Sequence, residues 1–197
     1  MADPAIKLPE HDMSFDQWLE WAHQQESGRY ELYDGKVYMI SPERVGHARS
    51  KLSVTNALNR AIELAGVACE AIVDGPTVKI DETKGFEPDV IVHCGGRIPD
   101  DQMVASNPAV LVEILSPTSR RIDTRIKLTE YFKQPSAHHY LIAALEQRTV
   151  VHHWRGVADR IETAIVRAGE IVLDPPGITI DVAAFLPSLP TDEHDGG

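Results

Sequence analysis

The sequence predicts a mixed fold, α/β with an α+β arrangement: a mixed central β-sheet flanked by helices, with a helix and a β-hairpin at the N-terminal end. Three observations predict it. The runs "DVIV" at 89–92 and "AVLVEIL" at 109–115 are apolar and β-branched, as strands buried on both faces are. Three stretches with helical spacing and start or stop signals surround them. The order is helix, hairpin, helix, several strands, helix, strands, which suits one layered domain better than separate helical and strand domains.

Each element has its own signal. Residues 1–12 are polar with two prolines and read as a flexible arm. Ser14 is a fitting N-cap for a helix in which Phe15, Trp18, Leu19 and Ala22 recur at helical spacing. "RYELYDGKVYMIS" reads as a hairpin, with Asp34-Gly35 as its type I′ turn. "GHARSKLSVTNALNRAIELAG" is a long helix with Leu52, Leu58, Ile62 and Leu64 among its apolar positions and Gly66 as its stop. Two short strands flank Asp74-Gly75-Pro76, and the two interior strands follow. "RRIDTRIKLTEYFKQP" is a helix that Pro135 ends. "AHHYLIAALEQRTVVHHW" reads as strand, turn, strand, and "RIETAIVRAGEIVL" as a hairpin turning near Ala168-Gly169. "DVAAFLP" suits a short helix. The expected domain spans 13–187, with an acidic disordered tail over 188–197.

The bulk numbers exclude several classes. With 197 residues the chain can bury a sizeable core. Its net charge of −11 argues against coating nucleic acid by bulk charge, although a local basic cleft stays open. There is no GxGxxG and no GxxxxGK[ST], so no nucleotide cofactor is expected, and no G-x-S-x-G supports a serine hydrolase. No apolar run reaches the roughly 18 residues of a membrane span, and no signal peptide is visible. Cys69 and Cys94 read as buried free thiols, which together with the missing leader points to a reducing, cytoplasmic setting.

The chemistry lies in three acids and a lysine. Glu113 sits inside an apolar strand, where an unpaired carboxylate is costly. Either an arginine such as Arg121 pairs with it, or a cation does. Asp89 begins the neighbouring interior strand after Pro88; it either caps a turn or faces Glu113. Two facing carboxylates repel unless a cation sits between them or one is protonated. Mg²⁺ suits such a pair, with Mn²⁺ as an alternative, and a nearby lysine would stabilise developing negative charge. Glu31 stands before the hairpin turn, as an outward strand residue or as a third acid. His138-His139 and His152-His153 are adjacent pairs in strands, so each pair points to opposite faces and cannot chelate together.

These residues resemble a known family. "YELYDG" at 30–35, "PDV" at 88–90, "VEILSP" at 112–117 and "RIDTRIKLTEY" at 121–131 are similar to the motifs of the Uma-two family, restriction endonucleases within the PD-(D/E)xK nuclease superfamily. The resemblance covers roughly residues 14–186. It implies a restriction-endonuclease-like core and a metal-dependent DNA endonuclease, with Asp89 and Glu113 as metal ligands and as catalytic residues beside Lys127 and Glu31. Leu115 stands where the superfamily lysine usually follows the second acid, and the resemblance moves that role to Lys127 on the next helix. Ile122 separates Arg121 from Asp123, which the family has adjacent. On a helical projection Lys127, Asp123, Glu130 and Tyr131 share one side, and Ile122, Ile126, Leu128 and Phe132 the other. The first side is either a solvated face with an Asp123–Lys127 pair or the border of a cleft. Arg120, Arg121, Arg125, His47 and Tyr131 are the candidate contacts to DNA, the expected partner. Arg44, Arg49, Lys51 and Arg60 add positive charge near the long helix. Duplex cleavage needs two cuts, so a homodimer is expected. The rival expectation is a nuclease fold kept for binding or oligomerisation without catalysis.

Overall fold

The structure is a computed structural model that describes residues 7–115 and 121–186. Helix α1 (Phe15–His23) starts at a capping box: Ser14 Oγ accepts from Gln17 N–H, and the Gln17 side chain accepts from Ser14 N–H. Strands β1 (Tyr30–Tyr33) and β2 (Lys36–Met39) form the hairpin. Asp34 and Gly35 both have positive φ, at 48° and 77°, as a type I′ turn requires. Helix α2 (Val45–Ala65) ends at Gly66 in the left-handed conformation.

After it come β3 (Cys69–Val73), β4 (Val78–Asp81), β5 (Lys84–Phe86), β6 (Val90–Cys94) and β7 (Pro108–Leu115). Helix α3 (Arg121–Tyr131) leads to β8 (His139–Ala144), β9 (Thr149–Arg155), β10 (Ile161–Val166), β11 (Glu170–Leu173), β12 (Ile178–Asp181) and α4 (Val182–Phe185). The central sheet has the order β10-β9-β8-β7-β6-β3. It is mixed: β7 and β8 are parallel, with α3 as the crossover between them, and the other pairs are antiparallel. A smaller sheet, β2-β1-β5-β4, carries the hairpin, and β11-β12 pair separately.

Strand alternation divides the central core in two. Val90, Val92, Val110, Val112 and Leu141 pack toward Val54, Leu58 and Ile62 of α2 and toward β11, β12 and α4. Ile91, Leu111, Tyr140 and Ile142 pack with Phe86, Tyr131 and Phe132. A third cluster seats Phe15 and Trp18 of α1 on Tyr30, Leu32 and Val37. Leu52 and Leu64 lie on the outer side of α2, 57% and 77% exposed, because its inward stripe runs through positions 54, 58, 61 and 62.

Three expectations are corrected. Cys69 and Cys94 form a disulfide and are not free thiols. They face each other across β3 and β6, and their N–H groups bond elsewhere, to Val67 O and Asn107 O, so they form the closer, non-hydrogen-bonded type of strand pair. The argument for a reducing compartment loses that support. Second, β10 and β11 are not a hairpin: β10 pairs with β9 and β11 with β12. Third, β5 adds a short strand between the two segments that the sequence separates. The 188–197 tail and most of the N-terminal arm lie outside the described residues. Among the described residues no helix is long and apolar enough to cross a membrane.

Candidate functional site

Strand register brings the two interior acids together. Val90 pairs with Val112, and continuing that register by one residue sets Asp89 opposite Glu113. By alternation both belong to the face of Ile91 and Leu111, the face packed against Tyr131 of α3. Asp89 Oδ2 accepts from Ile114 N–H at 2.7 Å, which ties the acid to β7 itself.

Helix α3 turns its polar side inward. Lys127 is 4% exposed and Tyr131, one turn later, is fully buried. Lys127 Nζ and Tyr131 Oη both donate to Glu113 Oε1, at 2.9 and 2.8 Å. Lys127 Nζ is also 2.9 Å from Glu31 Oε1 on β1. Glu31 Oε1 in turn accepts from Glu87 N–H at 3.0 Å. The side that resembled a solvated face therefore points at two carboxylates, and Lys127 pairs with these strand acids. Asp123 has its side chain outside the described ones.

A second set of residues surrounds Asp89 Oδ1. His47 Nε2 lies at 3.3 Å and Lys51 Nζ at 3.4 Å, both from α2. Lys51, 1% exposed, donates to Asp74 Oδ1 at 2.7 Å and to Glu43 Oε1. Arg29 links Glu43, Asp74 and Glu87 at 3.2, 2.8 and 2.9 Å. Acids and bases thus alternate through a continuous network.

Burial and neighbours divide the two central acids. Burial, reinforced by the like charges of Asp89 and Glu31, pushes Glu113 up to about 7 against the opposing pull of Lys127. Burial also acts to raise Asp89, but the His47 hydrogen bond, the Ile114 N–H and Lys51 outweigh it and hold that carboxyl below its usual range. His47 is raised chiefly by its bond to Asp89. Burial opposes the charge of Lys51, yet Asp74, Glu43 and Asp89 raise it above the ordinary lysine value.

The donors fit a hard divalent cation. Ligand atoms of Glu43, His47 and Asp89 all lie within 4.8 Å of one another. Glu113 is not in that trio, but it faces Asp89 across the strand pair, and burial, with the like charge of Asp89 added, raises it. Carboxylate oxygens suit Mg²⁺, and an imidazole beside them widens the choice to Mn²⁺.

The structure brings Asp89, Glu113, Lys127, Glu31 and His47 to one place. Arg125 is exposed on α3. Arg120 lies outside the described residues, as does the side chain of Arg121. Tyr131 is corrected as a DNA contact: it is 0% exposed, because its ring packs between Phe86 and Tyr140 while its hydroxyl holds Glu113. Lys51 is likewise no surface charge. His139 and His152 bond to each other at 2.9 Å on the Val110 side of the central sheet, the opposite face from Glu113. Sequence reasoning missed Glu43, Asp74, Arg29 and Glu87, and took Lys51 for surface charge. Lys51 did leave a signal, since it lies on the same helical stripe as Val54, Leu58 and Ile62.

Known proteins resemble this chain in sequence and in fold. Residues 14–185 match the model of the Uma2 family, described as "Putative restriction endonuclease". An uncharacterized protein of Synechocystis sp. is 27% identical over 142 residues, 72% of each chain. A crystal structure of a "putative nuclease belonging to DUF820" from Anabaena variabilis superposes with a TM-score of 0.70 at 14% identity, covering 88% of this chain and 97% of that one. At that identity the likeness establishes the fold, while the family match spans nearly all of the described residues. The chain belongs to the Uma2 family.

Proposed function

We propose that this chain is a metal-dependent DNA endonuclease that hydrolyses phosphodiester bonds, with Asp89 and Glu113 holding Mg²⁺ or Mn²⁺ and Lys127 and Glu31 acting beside them. The observation that carries the reading is convergence: Asp89, Glu113, Lys127 and Glu31 come from distant parts of the chain and meet within one hydrogen-bonded group. When bound, the cation neutralises charge on the scissile phosphate and lowers the pKa of the attacking water. Ile114 N–H fixes Asp89, and Tyr131 Oη fixes Glu113, so both carboxylates are oriented before substrate arrives. Lys127 supplies positive charge where negative charge develops on the phosphate. Glu31 takes the proton of the attacking water or adds an oxygen ligand. Arg125, with Arg120 and Arg121 before it in sequence, contacts the phosphate backbone, and a homodimer would deliver the two cuts of a duplex.

One observation favours a second reading, a non-catalytic module. Lys51, Lys127 and Arg29 already bind the acids of the site, so the network also works as internal pairing. That reading predicts no heat of Mn²⁺ binding in a calorimetric titration, whereas the nuclease reading predicts saturable uptake lost in Asp89→Ala.

Cleavage of supercoiled plasmid with Mg²⁺ or Mn²⁺ tests the proposal. The wild type should nick or linearise the DNA, and Asp89→Ala and Glu113→Ala should each abolish this. Cleavage that survives both substitutions would remove the site assignment.

A further inference from the structure

Two buried lysines flank the Asp89–Glu113 pair. Lys127 reaches Glu113 and Glu31 from α3, and Lys51 reaches Asp89 from α2. Only Lys127 has a part in the proposed chemistry. Lys51 lies one helical turn after His47, so the two side chains share a face of α2. Its Nζ donates to Glu43 Oε1 and, at 2.7 Å, to Asp74 Oδ1, and it stands 3.4 Å from Asp89 Oδ1. His47 Nε2 lies 3.9 Å from the same Glu43 oxygen and 3.3 Å from the same Asp89 oxygen.

Glu43, His47 and Asp89 are also the residues whose ligand atoms lie within 4.8 Å of one another. Among the described residues no other trio of histidines, cysteines or acids comes as close. An ammonium is thus already bonded to the carboxylates that a divalent cation would take there. Lys51 is almost wholly buried. A buried ion pair is often no more stable than well-packed apolar side chains of similar volume, so packing alone does not call for a charge at this position.

We propose that Lys51 is a positioning residue that stands in for a second divalent cation. Its fixed charge neutralises Glu43, Asp74 and the Oδ1 side of Asp89, and it leaves the Asp89–Glu113 pair as the place for a single ion. The inference rests on the endonuclease reading of that pair. Lys51 has almost no surface to offer DNA, so it acts only through the carboxylates. Removing the ammonium opens the space it fills and leaves Arg29 as the shared partner of Glu43 and Asp74. A divalent ion then has two carboxylates, from Glu43 and Asp89, and the imidazole of His47 as ligands.

Calorimetric titration with Mn²⁺ tests this without cleavage, by counting ions per chain. The wild type should bind one, Lys51→Ala two, and the double variant Lys51→Ala, His47→Ala one again. A merely structural lysine would not move this count. If Lys51→Ala loses its wild-type circular dichroism spectrum in metal-free buffer, Mn²⁺ should restore it, and failure to do so would overturn the proposal. Two ions in the wild type, no added ion in folded Lys51→Ala, or two ions persisting in the double variant would each overturn it as well. A wild type that binds one ion, with no gain in Lys51→Ala, loses only the role of Lys51. A wild type that binds none, with one ion gained in Lys51→Ala and lost again in the double variant, keeps that role and loses the nuclease reading.

Discussion

Lys127 reaches Glu113 at 2.9 Å from the helix that follows the acid's own strand. The place two residues after Glu113 is taken by Leu115, which packs against the apolar cluster of Phe86, Tyr131 and Tyr140. The ammonium therefore enters from α3 and spans Glu113 and Glu31 together. Replacing it leaves two half-buried carboxylates facing one another. Lys127→Met should lower stability by about 3–5 kcal/mol, as breaking a buried ion pair does. Urea denaturation measures this, and added Mn²⁺ should restore part of the loss. An unchanged midpoint would mean that Lys127 does not hold the acids.

Tyr131 acts on Glu113 and has no surface to offer DNA. Tyr131→Phe keeps the packed ring and deletes one hydrogen bond to a charged group, a loss of roughly 1.5–3 kcal/mol. Mn²⁺ affinity should fall by about tenfold or more, since 1.4 kcal/mol is a factor of ten. DNA affinity without metal should not change. A gel-shift titration in EDTA that shows weaker DNA binding would restore Tyr131 as a direct contact.

The buried pair His139–His152 sets an acid limit on stability. Burial pushes both imidazoles down to about 4. In the unfolded chain they titrate near 6.5. Between these values the unfolded state binds more protons than the folded one, so stability declines as pH falls from about 6.5 toward 4. Each histidine contributes on the order of 3 kcal/mol at full loss. Denaturation midpoints from pH 7.5 to 4.5 should fall less steeply in His152→Gln than in wild type. Parallel curves would show that the pair is not kept neutral by the fold.

The Cys69–Cys94 disulfide closes a loop between residues 25 apart in sequence. Chain entropy assigns such a loop about 3–4 kcal/mol. The double variant Cys69→Ser, Cys94→Ser should unfold at correspondingly lower urea, and reductant should shift the wild type but not the variant. Identical midpoints with and without reductant in the wild type would argue against the bond.

Local signals in the sequence made the acid pair legible and left its surroundings hidden. Two apolar strands, one starting with an acid and one enclosing an acid, can be read directly, and antiparallel register sets Asp89 opposite Glu113. The cap at Ser14, the turn at Asp34-Gly35 and the stop at Gly66 are likewise short-range signals. Glu43, Asp74 and Glu87 are polar residues in or near loops, and only the tertiary fold brings them to Lys51 and Arg29. The same cause hid the disulfide, because Cys69 meets Cys94 through strand register and not through spacing. Between β10 and β11, Ala168-Gly169 makes a turn, but each strand finds a better partner elsewhere. For α3 the helical projection grouped Lys127 with Tyr131 correctly. The direction of that face followed from Glu113 and Glu31, which no local pattern in α3 reveals.

The most direct test of the central claim is the anomalous scattering of Mn²⁺ in crystals of the wild-type protein. The account predicts a peak within coordination distance of both Asp89 and Glu113. A peak held by Glu43 and His47 with Glu113 out of reach, or no peak near Asp89 at all, would contradict it.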